Sequence, residues 1–149
     1  MKISEHFHLS EFEKSSTAER LGIDNTAPAQ VVANLTDLVV DVLEPLRRMV
    51  KRPIVINSGY RSLELNRTLK SKDTSQHVQG QAADIECPGL SNKELASVIR
   101  DNLPYDQLIL EFYNKDDPSA GWVHVSHKRD WNRFEVLSIN RHGVQRGLA

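Results

Sequence analysis

The stretch SQHVQGQAAD, residues 75–84, holds one imidazole and one carboxylate seven positions apart, with Gly80 between them. In a helix that separation rises roughly 10.5 Å, and in an extended strand it spans roughly 23 Å. Ligands of one zinc ion each lie about 2 Å from it, so neither regular structure lets His77 and Asp84 share a metal. A chain reversal does, and Gly80 stands where the reversal is needed. The stretch therefore reads as a strand or loop end, a turn, and a strand opening at Gln81 or Ala82.

Outward from this corner, the chain has 149 residues, enough for one domain, residues 1–149, with a single core. Hydrophobic content of 39% and charged content of 26% are ordinary for a globular protein. A net charge of −1 argues against a nucleic-acid partner, which calls for a basic excess or stripe. No apolar run approaches the roughly 18 to 20 residues of a membrane span. The opening MKISEHFHLSEFEKS lacks the apolar centre of a secretory leader. The single cysteine, Cys87, permits no internal disulfide and no cysteine-rich metal site, as in a protein folded in a reducing cytoplasm. A substrate outside the cell would then be reached by lysis, by injection or by a non-classical exit. A monomer is expected.

Phe7 and Phe12 read as anchors of the opening segment, with Ser10 capping a short helix near Glu11. From Val31, the residues Leu35, Leu38, Val39, Val42, Leu43, Leu46 and Met49 recur at helical spacing and predict one amphipathic helix. IVINSG (54–59) reads as a short buried strand closed by a turn. A second helix follows from Ser62, and a third begins at Ser91, with Glu94 at the capping-box position. Residues 82–87, 107–112, 122–126 and 134–139 read as strands. Helices first and short strands later predict an α+β fold with a small, mostly antiparallel sheet.

Of the six histidines, His6, His8, His127 and His142 read as solvated surface. His124 differs, because alternation in WVHVS turns Val123 and Val125 to the core and sets Trp122, His124 and Ser126 on the opposite face. His77, Asp84 and His124 together supply two imidazoles and a carboxylate, donor types that a catalytic zinc uses with one position left open. By spacing alone, such a trio also arises by chance. Glu111, ending QLILE, shares a face with Ile109 and Gln107; partial burial there would raise its pKa and suit it to general-base work. It reads equally as a surface glutamate at a strand end, and Glu86, on the face of Asp84, is a rival base. In SGYRS, Arg61 projects from a turn with a planar fork that matches a carboxylate, or it pairs with Glu64 or another acidic residue.

Taken in order, SGYRS…LN, SQHVQGQAADI, DQLILE and WVHVS resemble the zinc D-Ala-D-Ala carboxypeptidase family, whose fold is shared by the hedgehog signalling domain and by phage endolysins. The resemblance extends over nearly the whole chain, including FHLSEF and the long helix running into LEPLR. It implies a hedgehog/DD-peptidase-like fold and a zinc ion bound by His77, Asp84 and His124. It further implies contacts of Arg61 and Ser75 with the substrate, a peptidoglycan stem peptide cut at the D-Ala-D-Ala terminus or the L-Ala-D-Glu bond. Cell-wall degradation by a phage-encoded enzyme fits the missing leader better than a resident periplasmic role does.

The sequence departs from that family at one place. Many relatives carry the catalytic glutamate three residues before the second histidine, where this chain has Gly121. Relatives that share the QLILE-like strand lack it too, and there the glutamate ending that strand, here Glu111, is the natural base. The alternative is a catalytically silent module that keeps the zinc and serves in binding or structure.

Overall fold

Apolar side chains at helical spacing build the segment on which everything else packs. In the computed structural model, which describes residues 1–117 and 119–149, this segment is α3 (Ala29–Leu38), a π-helical stretch over Val39–Leu43, and α4 (Glu44–Val50). The single regular helix expected from the periodicity is thus interrupted. Pro45 gives the physical reason: in a regular α-helix its ring meets the carbonyl four residues back, and the wider turn precedes it directly. Leu35, Leu38, Val39, Val42, Leu43 and Leu46 remain fully buried through the change, each contributing about 1.5–3 kcal/mol of transfer free energy.

Ahead of it lie a two-stranded antiparallel hairpin, β1 (Lys2–Ser4) and β2 (Phe7–His8), then α1 (Leu9–Glu13) and α2 (Ser16–Leu21). The expected cap of α1 at Ser10 is corrected: His8 holds that position, reciprocally bonded with Glu11, and Ser10 lies inside the helix. The remaining elements are β3 (Val55–Ser58), α5 (Leu63–Thr68), β4 (Ala82–Glu86), α6 (Asn92–Asn102), β5 (Gln107–Glu111), β6 (Trp122–Ser126), β7 (Glu135–Asn140) and β8 (Gly143–Arg146). Ser62 and Ser91 cap α5 and α6 through their hydroxyls.

Apart from the β1–β2 hairpin, the strands form one sheet in the order β3-β4-β6-β5-β7-β8, antiparallel except for the β5–β7 pair. This is the α+β architecture expected, with β1, β2 and β8 added to it. Alternation divides the sheet into two faces. Ala83, Ile85, Leu108, Leu110, Val123 and Val125 turn inward to the helices and are essentially inaccessible. Asp84, His124, Ile109, Glu111 and Trp122 stand on the other face, with Asp84 opposite His124 and Glu111 opposite Trp122.

Candidate metal centre and its cleft

Between α5 and β4 the chain folds back through a run of tight turns, in which Gly80 donates to the His77 carbonyl and Gln81 to the Gln76 carbonyl. Gly80 has φ +72, and a Cβ there would lie 2.7 Å from Val31 Cγ1 and 2.8 Å from its carbonyl. The reversal therefore needs glycine both for its backbone conformation and for its closeness to α3. It brings His77 over the start of β4, where Asp84 pairs with His124 of β6.

His77, Asp84 and His124 each offer a ligand atom, and these atoms all lie within 4.8 Å of one another. His77 Nδ1 donates to the Gly59 carbonyl at 2.7 Å, which leaves Nε2 as the nitrogen facing Asp84 Oδ1, 3.4 Å away. His124 Nδ1 approaches the same oxygen at 3.0 Å, and the two rings meet edge-on with centroids 5.2 Å apart. Burial alone would favour the neutral acid at Asp84, but the contacts with His124 and His77 outweigh it and hold the carboxyl far below the usual carboxylate range. Both imidazoles thus turn a nitrogen to one buried carboxylate oxygen. Two nitrogens and one carboxylate, with the orienting carbonyl behind His77, fit a divalent transition metal.

Around this group lies a cleft of about 350 Å³. Arg61 lines it with Nη2 3.6 Å from Asp84 Oδ2, while its Nε donates to Ser58 Oγ at 3.2 Å. Of the partners that the sequence left open, Asp84 is the acidic one it faces, and Glu64 is not involved. The turn carrying Arg61 is tied down from behind by Asn25, whose Nδ2 donates to the carbonyls of Glu13 and Tyr60 and whose Oδ1 accepts from Ser62. Ser75 also lines the cleft, and its hydroxyl accepts from the His77 backbone at 3.3 Å.

Glu111 lines the same cleft and accepts from the indole nitrogen of Trp122 at 2.8 Å. Burial, reinforced by repulsion from Asp84, raises its pKa above the ordinary glutamate value, against the opposing pull of His124, the indole and Arg61. Glu86 opens instead into a neighbouring groove of about 800 Å³ that none of the metal-type ligands lines, and it accepts from Asn57. Gly121 has φ +74, and a Cβ there would sit 1.9 Å from the Glu111 carbonyl oxygen. The join of β5 and β6 thus excludes any side chain at position 121, glutamate included.

One surface expectation is corrected. His127 is buried, with Nε2 2.8 Å from Asp41 Oδ2 and Nδ1 accepting from Asn132 at 3.1 Å, because the end of β6 runs against the π-helical stretch. Sequence reasoning also missed Gln76, Asp106 and Arg133. Asp106 is fully buried and accepts from the Arg133 backbone at 2.8 Å, from its side chain at 2.8–3.2 Å and from Gln76 Nε2 at 3.0 Å. Its only signal was an acid standing directly before an apolar strand.

An open-faced sheet carrying a metal-type donor set, with an elevated carboxyl and an arginine in one cleft, is the equipment of a hydrolytic centre. Residues 5–126 match the family model described as Peptidase M15, and the chain belongs to that family. No curated protein matches it.

Proposed function

We propose that this peptidase is zinc-dependent and cuts peptidoglycan stem peptides, as a D-Ala-D-Ala carboxypeptidase or an L-Ala-D-Glu endopeptidase of the kind found among phage endolysins. In this proposal residues 1–149 act as one domain and as a monomer. His77, Asp84 and His124 hold the zinc, which when bound supplies Lewis acidity to the scissile carbonyl and acidifies water. Glu111 takes the proton of the attacking water on its carboxylate and delivers it to the leaving amine. Trp122 keeps that carboxylate pointed into the cleft, Arg61 orients a substrate carboxylate, and Ser75 contacts the peptide.

What carries this proposal is Glu111, a carboxyl of raised pKa in the same cleft as the metal-type trio. A silent module drew its support from the missing glutamate at 121, and a Cβ there would collide with the Glu111 carbonyl, so the backbone alone accounts for glycine at that position. The test is mass spectrometry of purified peptidoglycan after digestion, which also identifies the bond. Wild-type protein should release new termini, chelator should abolish the release, and Glu111→Gln should slow it about 100-fold or more while binding zinc normally. No release by zinc-loaded wild type would sink the enzymatic proposal, and full rate in Glu111→Gln would move the base elsewhere.

A further inference from the structure

We propose that Arg133 is a second carboxylate-binding residue, taking an acidic group of the peptide on the side of the scissile bond opposite Arg61. This inference rests on the peptidase function proposed above and adds to it a requirement on the substrate: carboxylates on both sides of the reacting centre.

Arg133 lies in the loop between β6 and β7, yet it lines the same cleft as Glu111 and the metal-type trio. Surface arginines lose rotamer freedom when they bind a ligand, and Arg133 has largely lost it already. Its Nε lies 3.2 Å from both Asp106 oxygens, and its Nη2 donates to Oδ2 at 2.8 Å. Asp106 is fully buried and has no freedom to follow a ligand. Burial works against its charge, but the hydrogen bonds from Arg133 prevail and hold its pKa below the ordinary value. The anchor also accepts from Gln76, the neighbour of His77, so it couples the loop bearing His77 to the arginine.

The anchored edge of the guanidinium is Nε/Nη2, which leaves the Nη1/Nη2 edge for a ligand. Among the described residues the nearest acid to Nη1 is Glu135, at 3.9 Å, and its Oε1 is already engaged by Gln107 Nε2 at 2.6 Å. The Arg133 side chain stays 43% exposed. A fixed planar edge with two N–H groups matches a carboxylate bidentately. Strand order sets the spacing. Arg61 follows β3, Asp84 and His124 stand on β4 and β6, and Arg133 leads into β7 beyond β5. The reacting centre therefore lies between the two guanidinium groups, and a peptide spanning the cleft meets one on either side.

The test uses synthetic stem pentapeptides containing both candidate bonds, with each internal carboxyl presented either as the free acid or as the carboxamide. Values of kcat/KM are measured for zinc-loaded wild type, Arg133→Gln and Arg133→Lys. Wild type should prefer the free acid at one internal position by roughly tenfold to a hundredfold. Arg133→Gln should cleave that acid and its amide within about twofold of each other, because only the charged contact distinguishes them. Arg133→Lys keeps a cation beside buried Asp106, and should keep part of the preference even if the glutamine variant folds poorly. Partial misfolding lowers both rates together and leaves the ratio unmoved, so the ratio reports recognition alone. The same preference in Arg133→Gln as in wild type overturns the inference, as does a wild type indifferent to every internal carboxyl, while both leave the peptidase function standing. Failure of wild type to cleave any of the peptides overturns that function and this inference with it.

Discussion

Trp122 spends its one polar side-chain atom on Glu111, and the consequence is chemical. The indole N–H stabilises the ionised carboxylate and opposes the burial that raises its pKa. Trp122→Phe keeps the ring and removes the donor, so Glu111 should stay protonated to higher pH. We expect the acidic limb of kcat/KM to shift to higher pH and the rate at neutrality to fall roughly tenfold, with zinc content unchanged. A pH–rate profile beside metal analysis checks both. At this scale alternation in WVHVS and the turn requirement at Gly80 made His77, Asp84 and His124 candidates, and the family resemblance implied them as a set. The fold brings their ligand atoms within 4.8 Å of one another. Arg133 and Asp106 were not legible, because their pairing joins two loops and leaves no periodic trace.

Among the elements, the β5–β6 join is the most demanding. Gly121→Ala places a Cβ against the Glu111 carbonyl in a left-handed backbone conformation, and should destabilise the fold by at least about 2 kcal/mol, read from urea denaturation. The N-terminal hairpin is held to the long helix by Glu44, which is buried and accepts from Ser4 Oγ at 2.6 Å and from the His6 backbone at 2.9 Å. Burial pushes its pKa up, but the bonds from Ser4 and His6 prevail and bring it from 4.5 down to about 2. A depressed carboxyl stabilises the fold fully above its unfolded value, and this support disappears as pH falls from about 4.5 towards 2. Glu44→Gln should therefore be less stable than wild type at pH 7, and should lose less on acidification through that window. Urea midpoints at several pH values test this. The α-helices other than α2, five of the six main-sheet strands and the Ser91 cap were readable from periodicity and serine position. The hairpin and β8 escaped, since strands this short and exposed show no alternation, and the π-helical turn is a response to Pro45 that apolar spacing does not display.

For the molecule as a whole, the core runs from Phe7 through the long helix and the inner sheet face, with Leu148 packed against it. No helix among the described residues is long and apolar enough to cross a membrane. The metal-type ligands come from a turn, β4 and β6, so an ion bound to the folded state alone joins distant parts of the chain and stabilises it by mass action. Chelation should lower the Tm by several degrees, and His77→Ala should show no such response; thermal melts with and without chelator measure it. Equal melting of wild type in both conditions would count against metal binding.

By itself the sequence determined the α+β class, the faces of β4, β5 and β6, and the candidate status of His77, Asp84 and His124. Those follow from local rules: side-chain alternation, helical spacing, and the chain reversal that only Gly80 allows. Tertiary structure decided which carboxyl shares the cleft, setting Glu111 beside the metal-type trio and turning Glu86 into another groove. It also decided that position 121 takes no side chain and that Arg133 is a cleft residue. Each of these depends on the pairing of β5 with β6 or on a loop closing over buried Asp106, and strand partners and loop closures are chosen by packing across the whole fold.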